Sequence, residues 1–137
     1  MANLEDIKRK IKGPAFSIIT PFTDDGENVD FKALDEYVTF LYEGGAKVFY
    51  VMGYNSRFSI LSDEEILKVN ETVVKRVKSF NDPECVSIIA DPLHCSTKTS
   101  IEFAKHGEEI GADVISLIFR EKVYFNDQVY NHFKKVS

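Results

Sequence analysis

The chain has 137 residues, 44% of them hydrophobic and 28% charged, the make-up of one ordinary folded domain and not of a disordered or fibrous chain. Its 17 Lys+Arg against 22 Asp+Glu leave a net charge of −5, which argues against nucleic acid as a partner, because phosphate contacts need a basic face. No apolar run reaches the ~18 residues of a membrane span, residues 1–12 lack an apolar signal core, and two cysteines, Cys85 and Cys95, are too few for a disulfide framework.

A short helix is predicted over residues 4–11, ahead of Gly13-Pro14. The first strand follows over residues 15–19, an apolar run ending Ile18-Ile19. Phe31, Leu34, Val38 and Leu41 then recur at helical spacing, and Gly44-Gly45 stops that helix. Residues 48–52 form the second strand. Ser62 opens the next helix with Glu65 three residues on, a capping box in which each side chain satisfies a backbone N–H. Ile66, Val69, Val73 and Val77 are its apolar stripe. The third strand is residues 86–90. A helix opening at Ser96 or Thr97 carries Ile101, Ala104 and Ile110 and ends at Gly111. Residues 114–119 make the fourth strand, and Val129, Phe133 and Val136 mark a last helix opening near Asn126.

Near-continuous apolar runs suit strands covered on both faces. Strand alternating with helix implies a parallel sheet with right-handed crossovers, in a single domain spanning residues 1–137. Two architectures compete. One is a small open doubly wound sheet. The other is the first half of a (β/α)₈ barrel, which needs about 250 residues when complete. Length alone favours the open sheet.

The motifs favour the barrel. Gly13-Pro14-Ala15 leads into Ile19-Thr20-Pro21-Phe22, then Asp24-Asp25-Gly26 and Val29-Asp30. Gly53 follows the second strand, and Leu61-Ser62-Asp63-Glu64-Glu65 comes after it. Ala90-Asp91-Pro92 ends the third strand, before His94-Cys95-Ser96-Thr97-Lys98 and Ala104-Lys105-His106; Glu109-Ile110-Gly111-Ala112-Asp113 enters the fourth. In order and spacing these resemble the first half of the dihydrodipicolinate synthase and N-acetylneuraminate lyase family, over roughly residues 12–133.

The resemblance implies a (β/α)₈ α/β fold and Schiff-base chemistry on a 2-oxo acid such as pyruvate, with no separate cofactor. An iminium draws electrons from the α-carbon and eases carbanion formation. The family's lysine lies on the sixth strand, beyond the four units seen here, and none of the thirteen lysines replaces it. Lys122 follows the fourth strand, but an exposed lysine is protonated and a poor nucleophile. The family's Gly-Thr-Thr-Gly-Glu loop, which holds the keto-acid carboxylate, corresponds to Gly53-Tyr54-Asn55-Ser56-Arg57, where only Gly53 is kept. Asn55 and Ser56 still donate hydrogen bonds, and Arg57 offers a bidentate carboxylate partner or a surface ion pair. Thr20 completes the substrate-binding candidates at the strand ends. The family's proton-relay tyrosine falls on Glu121 by ungapped counting, or on Tyr124 if a gap is allowed, and these are the catalytic candidates.

The remaining constellations read as structural. His94, His106 and His132 lack metal-ligand spacing and are expected on the surface. Lys8-Arg9-Lys10 reads as a solvated helix face. The expectation is a cytoplasmic 2-oxo-acid aldolase or lyase scaffold with reduced thiols, either a piece of a longer protein or completed by a homo-oligomer or a second half-barrel, with no membrane partner. The alternative is an inactive binding or assembly module of the same family.

Overall fold

The computed structural model describes residues 4–91, 96–118 and 125–137. Helix α1 (Leu4–Lys10) precedes four strand–helix units. These are β1 (Ala15–Ser17) with α2 (Phe31–Glu43), β2 (Val48–Val51) with α3 (Asp63–Ser79), β3 (Val86–Ala90) with α4 (Thr97–Glu109), and β4 (Val114–Ser116) with α5 (Asn126–Val136). Two short 3₁₀ turns, Tyr54–Ser56 and Phe58–Ile60, fill the β2–α3 connection, where no helical turn was expected.

The strands pair in parallel in the order β1-β2-β3-β4. That order decides between the two architectures. A doubly wound sheet reverses its strand order and carries helices on both faces. Here each strand sits beside its predecessor, so right-handed crossovers place every helix on one face. The core agrees. Leu34 and Val38 of α2, Ile66, Val69, Val73 and Val77 of α3, and Phe103 of α4 share one cluster with Phe49, Val51 and Ile89. The alternate strand positions Val48, Val86 and Ile88 form a second cluster, with Tyr50 and Val114 against it. The period of two separates a helix-covered face from an inner face. This is half of a (β/α)₈ barrel.

Three strands are shorter than the sequence suggests, for local reasons. Met52 takes φ 61°, which ends the β2 ladder after Val51. Beyond β4 the N–H of Ile118 turns to the Asp91 carboxylate, 3.3 Å away. At β1 the ladder bond of Ile18 to the Tyr50 carbonyl is the last, and Ile19 faces solvent. The capping box forms as expected: the Ser62 hydroxyl accepts from the Glu65 N–H, and Glu65 accepts from the Ser62 N–H.

One expectation needs correction, and one helix buries residues the sequence did not mark. On α4 the buried face is Ser100, Phe103 and Gly107, whereas Ile101, Ala104 and Ile110 are only half-buried. Ser100 is buried because its hydroxyl donates to Asp91 at 2.9 Å, and Gly107 because Ile115 packs where its Cβ would stand. His132 is not a surface residue. It is 8% exposed, with Nδ1 2.9 Å from the Thr97 hydroxyl of α4 and its ring edge-on to Phe133. His106 is also partly covered, against Leu67 and Glu71 of α3. His94 lies outside the described residues, as does Cys95. Cys85 is a buried free thiol whose pKa is raised by burial.

The N-terminal ends of the strands are tied by charge. Lys47 reaches Asp82 at 2.6 Å, Lys78 reaches Asp113 at 2.6 Å, and Arg9 of α1 forks onto Glu84. Lys8 and Lys10 pair with Glu5 and Asp6; of the run read as a solvated face Lys8 is exposed, whereas Lys10 is largely covered and Arg9 is held by Glu84. No described helix is long and apolar enough to cross a membrane.

Candidate functional site at the carboxyl ends of the strands

In a parallel barrel the loops after the strands build the site. The β2 exit loop is anchored from β1. Thr20, 7% exposed, donates its hydroxyl to the Ser56 carbonyl at 2.7 Å. Ser56, fully buried, donates its hydroxyl to the Ile18 carbonyl. Two of the expected ligand-binding hydroxyls therefore bond the protein itself and lace the two exit segments together. They set the loop's shape.

That lacing leaves Tyr54, Asn55 and Arg57 exposed. The Tyr54 ring stands 6.2 Å from that of Phe58. Arg57 sits in the left-handed region at φ 55°, between the two 3₁₀ turns, and among the described residues no carboxylate pairs with it. Met52, fully buried, shares that strained conformation. Such positions cost on the order of 1–3 kcal/mol each and persist where surrounding structure overdetermines them. Here the Thr20 and Ser56 bonds supply that constraint.

Gly53 is the position the loop cannot easily fill. A Cβ there would stand 3.0 and 3.1 Å from Cε1 and Cδ1 of Tyr50 and 3.2 Å from Oγ of Ser17. The Tyr50 ring lies directly beneath the loop on the inner face, and its hydroxyl is 3.1 Å from the Ser116 hydroxyl on β4. On the β3 side, buried Asp91 accepts from the Ser100 hydroxyl and from the Ile118 N–H, fixing where the chain leaves β4.

Of the sequence candidates, the structure groups Thr20, Gly53, Tyr54, Asn55, Ser56 and Arg57 at one end of the sheet. Glu121 and Tyr124 lie outside the described residues, as does Lys122. Tyr50, Ser17, Ser116 and Asp91 were not singled out. The first three sit in apolar strands and read as core, and the signal available was only their strand parity. No described group of three His, Cys, Asp or Glu could hold a metal ion.

Comparison with known proteins matches residues 10–137 to the Dihydrodipicolinate synthetase family. The chain is 34% identical over 125 residues to a 4-hydroxy-tetrahydrodipicolinate synthase of Oceanobacillus iheyensis, covering 88% of this chain and 39% of that protein. It is 35% identical over 133 residues to the N-acetylneuraminate lyase of Homo sapiens, covering 95% and 40%. The crystal structure of dihydrodipicolinate synthase from Aquifex aeolicus superposes with a TM-score of 0.78 at 27% identity, covering 92% of this chain and 41% of that one. The chain thus spans about 40% of the length of the curated relatives it matches. Sequence, strand order and one-sided helix packing agree, and the chain belongs to the dihydrodipicolinate synthetase family.

Proposed function

We propose that the chain supplies the first four strand–helix units of a Schiff-base 2-oxo-acid aldolase or lyase scaffold. In this reading its β2 exit loop holds the carboxylate of a small 2-oxo acid such as pyruvate. The observation that carries it is the laced loop. Thr20 and Ser56 fix the backbone, so that Asn55 and Arg57 stay exposed at the mouth with no internal carboxylate partner among the described residues. A guanidinium meets a carboxylate bidentately, and the Asn55 amide adds a donor. The Schiff-base lysine is not one of the thirteen present. Lys10, Lys47 and Lys78 support this, being paired with Asp6, Asp82 and Asp113 around the opposite end of the sheet. The remaining strand–helix units would come from the same polypeptide, a second copy or a second half-barrel. A reducing, cytoplasmic setting suits the free Cys85 thiol.

An inactive binding or assembly module is the second reading. It is favoured by Ser56, whose hydroxyl is committed to Ile18. Titration calorimetry with pyruvate tests the binding claim. Arg57→Ala and Asn55→Ala are expected to weaken binding more than Lys47→Ala, which removes only a distant ion pair. Equal losses would remove the case for the mouth. Pyruvate with borohydride, followed by intact mass, tests the lysine claim. No adduct is expected, and a stoichiometric adduct on one lysine would overturn it.

A further inference from the structure

We propose that Tyr50 and Ser116 form a hydroxyl floor under the mouth that selects 2-oxo acids carrying a hydroxyl group beyond the carbonyl. This rests on the keto-acid reading of the β2 exit loop and adds a specificity determinant to it.

The argument starts from what a barrel interior usually holds. Inward positions are mostly filled by bulky branched residues in packed layers. This inner face obeys that rule at Val48, Val86, Ile88 and Val114. It departs from it at three positions: Ser17 and Tyr50, level with Ile88 and Val114, and Ser116 one row nearer the strand ends. Strand register and parity put Ser17, Tyr50 and Ser116 on the same face, one each from β1, β2 and β4. The Tyr50 side chain crosses β3 to reach Ser116, with 3.1 Å between the oxygens. Its ring is held from above by Gly53 and flanked by the Ser17 side chain. The hydroxyl pair is thus placed by packing, at the end of the sheet where the exit loops gather. All three side chains remain part-exposed, so the face is reachable.

The chemistry of the pair specifies the ligand group. Two hydroxyls that bond each other use one proton and one lone pair. One proton and further lone pairs stay available, and neither oxygen has another partner among the described residues. A surface that both donates and accepts complements a hydroxyl, which does the same. A carboxylate, which only accepts, is better met by Arg57 and Asn55 on the β2 side. A ligand anchored there by its carboxylate would extend its far end toward β3 and β4, over the Tyr50–Ser116 pair.

The test compares pyruvate with hydroxypyruvate, which differ by that one hydroxyl, by titration calorimetry on the 137-residue chain. The readout is the ratio of the two affinities. Tyr50→Phe keeps the ring beneath Gly53 and removes only the oxygen, and Ser116→Ala removes the partner. Each is expected to lower the preference for hydroxypyruvate about fivefold, the size of one neutral hydrogen bond. Arg57→Ala is expected to weaken both ligands and leave the ratio in place. Thermal unfolding by circular dichroism verifies that each variant is folded. An unchanged ratio in either hydroxyl variant, with pyruvate still bound by the parent, overturns the hydroxyl floor and spares the keto-acid reading. Failure of the parent to bind either acid overturns both.

Discussion

Gly53→Ala probes the contact on which the mouth is built. The new Cβ would lie 3.0 and 3.1 Å from two ring carbons of Tyr50 and 3.2 Å from Oγ of Ser17. Ordinary carbon contacts sit at about 3.5–4.0 Å, so the ring must recede by several tenths of an ångström. It cannot do so freely, because its hydroxyl is bonded to Ser116 across β3. Overpacking of this kind costs about 1–3 kcal/mol. The backbone itself accepts alanine, since φ −69° and ψ −178° are ordinary extended values. Losing glycine's freedom in the unfolded chain therefore returns about 0.4–1 kcal/mol. The net expectation is a loss of about 1 kcal/mol, or about 3–5 °C in Tm for a chain of this size. Urea unfolding followed by circular dichroism measures it. Tyr50→Leu removes the ring atoms that clash, so the alanine should be nearly neutral in that background, a coupling of about 1 kcal/mol in the double-mutant cycle. A Gly53→Ala chain as stable as the parent, or one that loses as much beside Leu as beside Tyr, would refute the reasoning.

Gly107→Ala places a Cβ in steric overlap with Ile115 Cδ1, so it should destabilise by about 1–2 kcal/mol, whereas in an Ile115→Val background the same change should stabilise by about 0.5–1 kcal/mol through helix propensity; chemical denaturation of the four chains decides. Acid should weaken the fold through Asp113 and Asp82. Burial works to raise the Asp113 carboxyl, but Lys78 and the N–H and hydroxyl of Ser87 outweigh it and leave it below 3.8, while Lys47 chiefly lowers Asp82. A carboxyl depressed by folding stabilises above its unfolded pKa and loses that contribution as pH falls through the folded value. Urea midpoints should therefore drop below about pH 4, and less steeply in Asp113→Asn; equal slopes would refute the assignment. Among the described residues β1 and β4 are the outer strands of the sheet, and open strand edges invite pairing with another chain. Light scattering should show concentration-dependent association, and a monodisperse monomer at every concentration would refute the edge argument.

Signals within a few residues of each other were legible in the sequence. Ser62 and Glu65 announced the start of α3 because a capping box is closed by neighbours. Residues 86–90 read as a strand because a β-branched apolar run suits a buried parallel strand, and β3 has those bounds. The buried face of α4 was not legible because periodicity looks for apolar residues. Ser100 and Gly107 are buried for reasons held elsewhere in the chain, in Asp91 and Ile115. His132 failed the same way. Its cover comes from Thr97, 35 residues back, and spacing rules for metal ligands say nothing about such a partner.

The mouth shows why residue type alone left the site half-read. Thr20, Ser56, Ser17 and Ser116 are chemically similar, and in sequence each is a small hydroxyl near a strand end. Their tasks differ because their nearest acceptors differ. Thr20 and Ser56 find backbone carbonyls and become ties between β1 and the β2 exit loop. Ser116 finds another hydroxyl, on Tyr50, and keeps bonding capacity in reserve. Only the parallel register, with Ala90 opposite Ser116 and Tyr50 opposite Ile88, brings that pair together. The order β1-β2-β3-β4, the same fact that separates half a barrel from a doubly wound sheet, sets β3 between the two strands that carry the pair. Strand order and register together therefore convert a set of interchangeable hydroxyls into a tied loop above and a polar floor below.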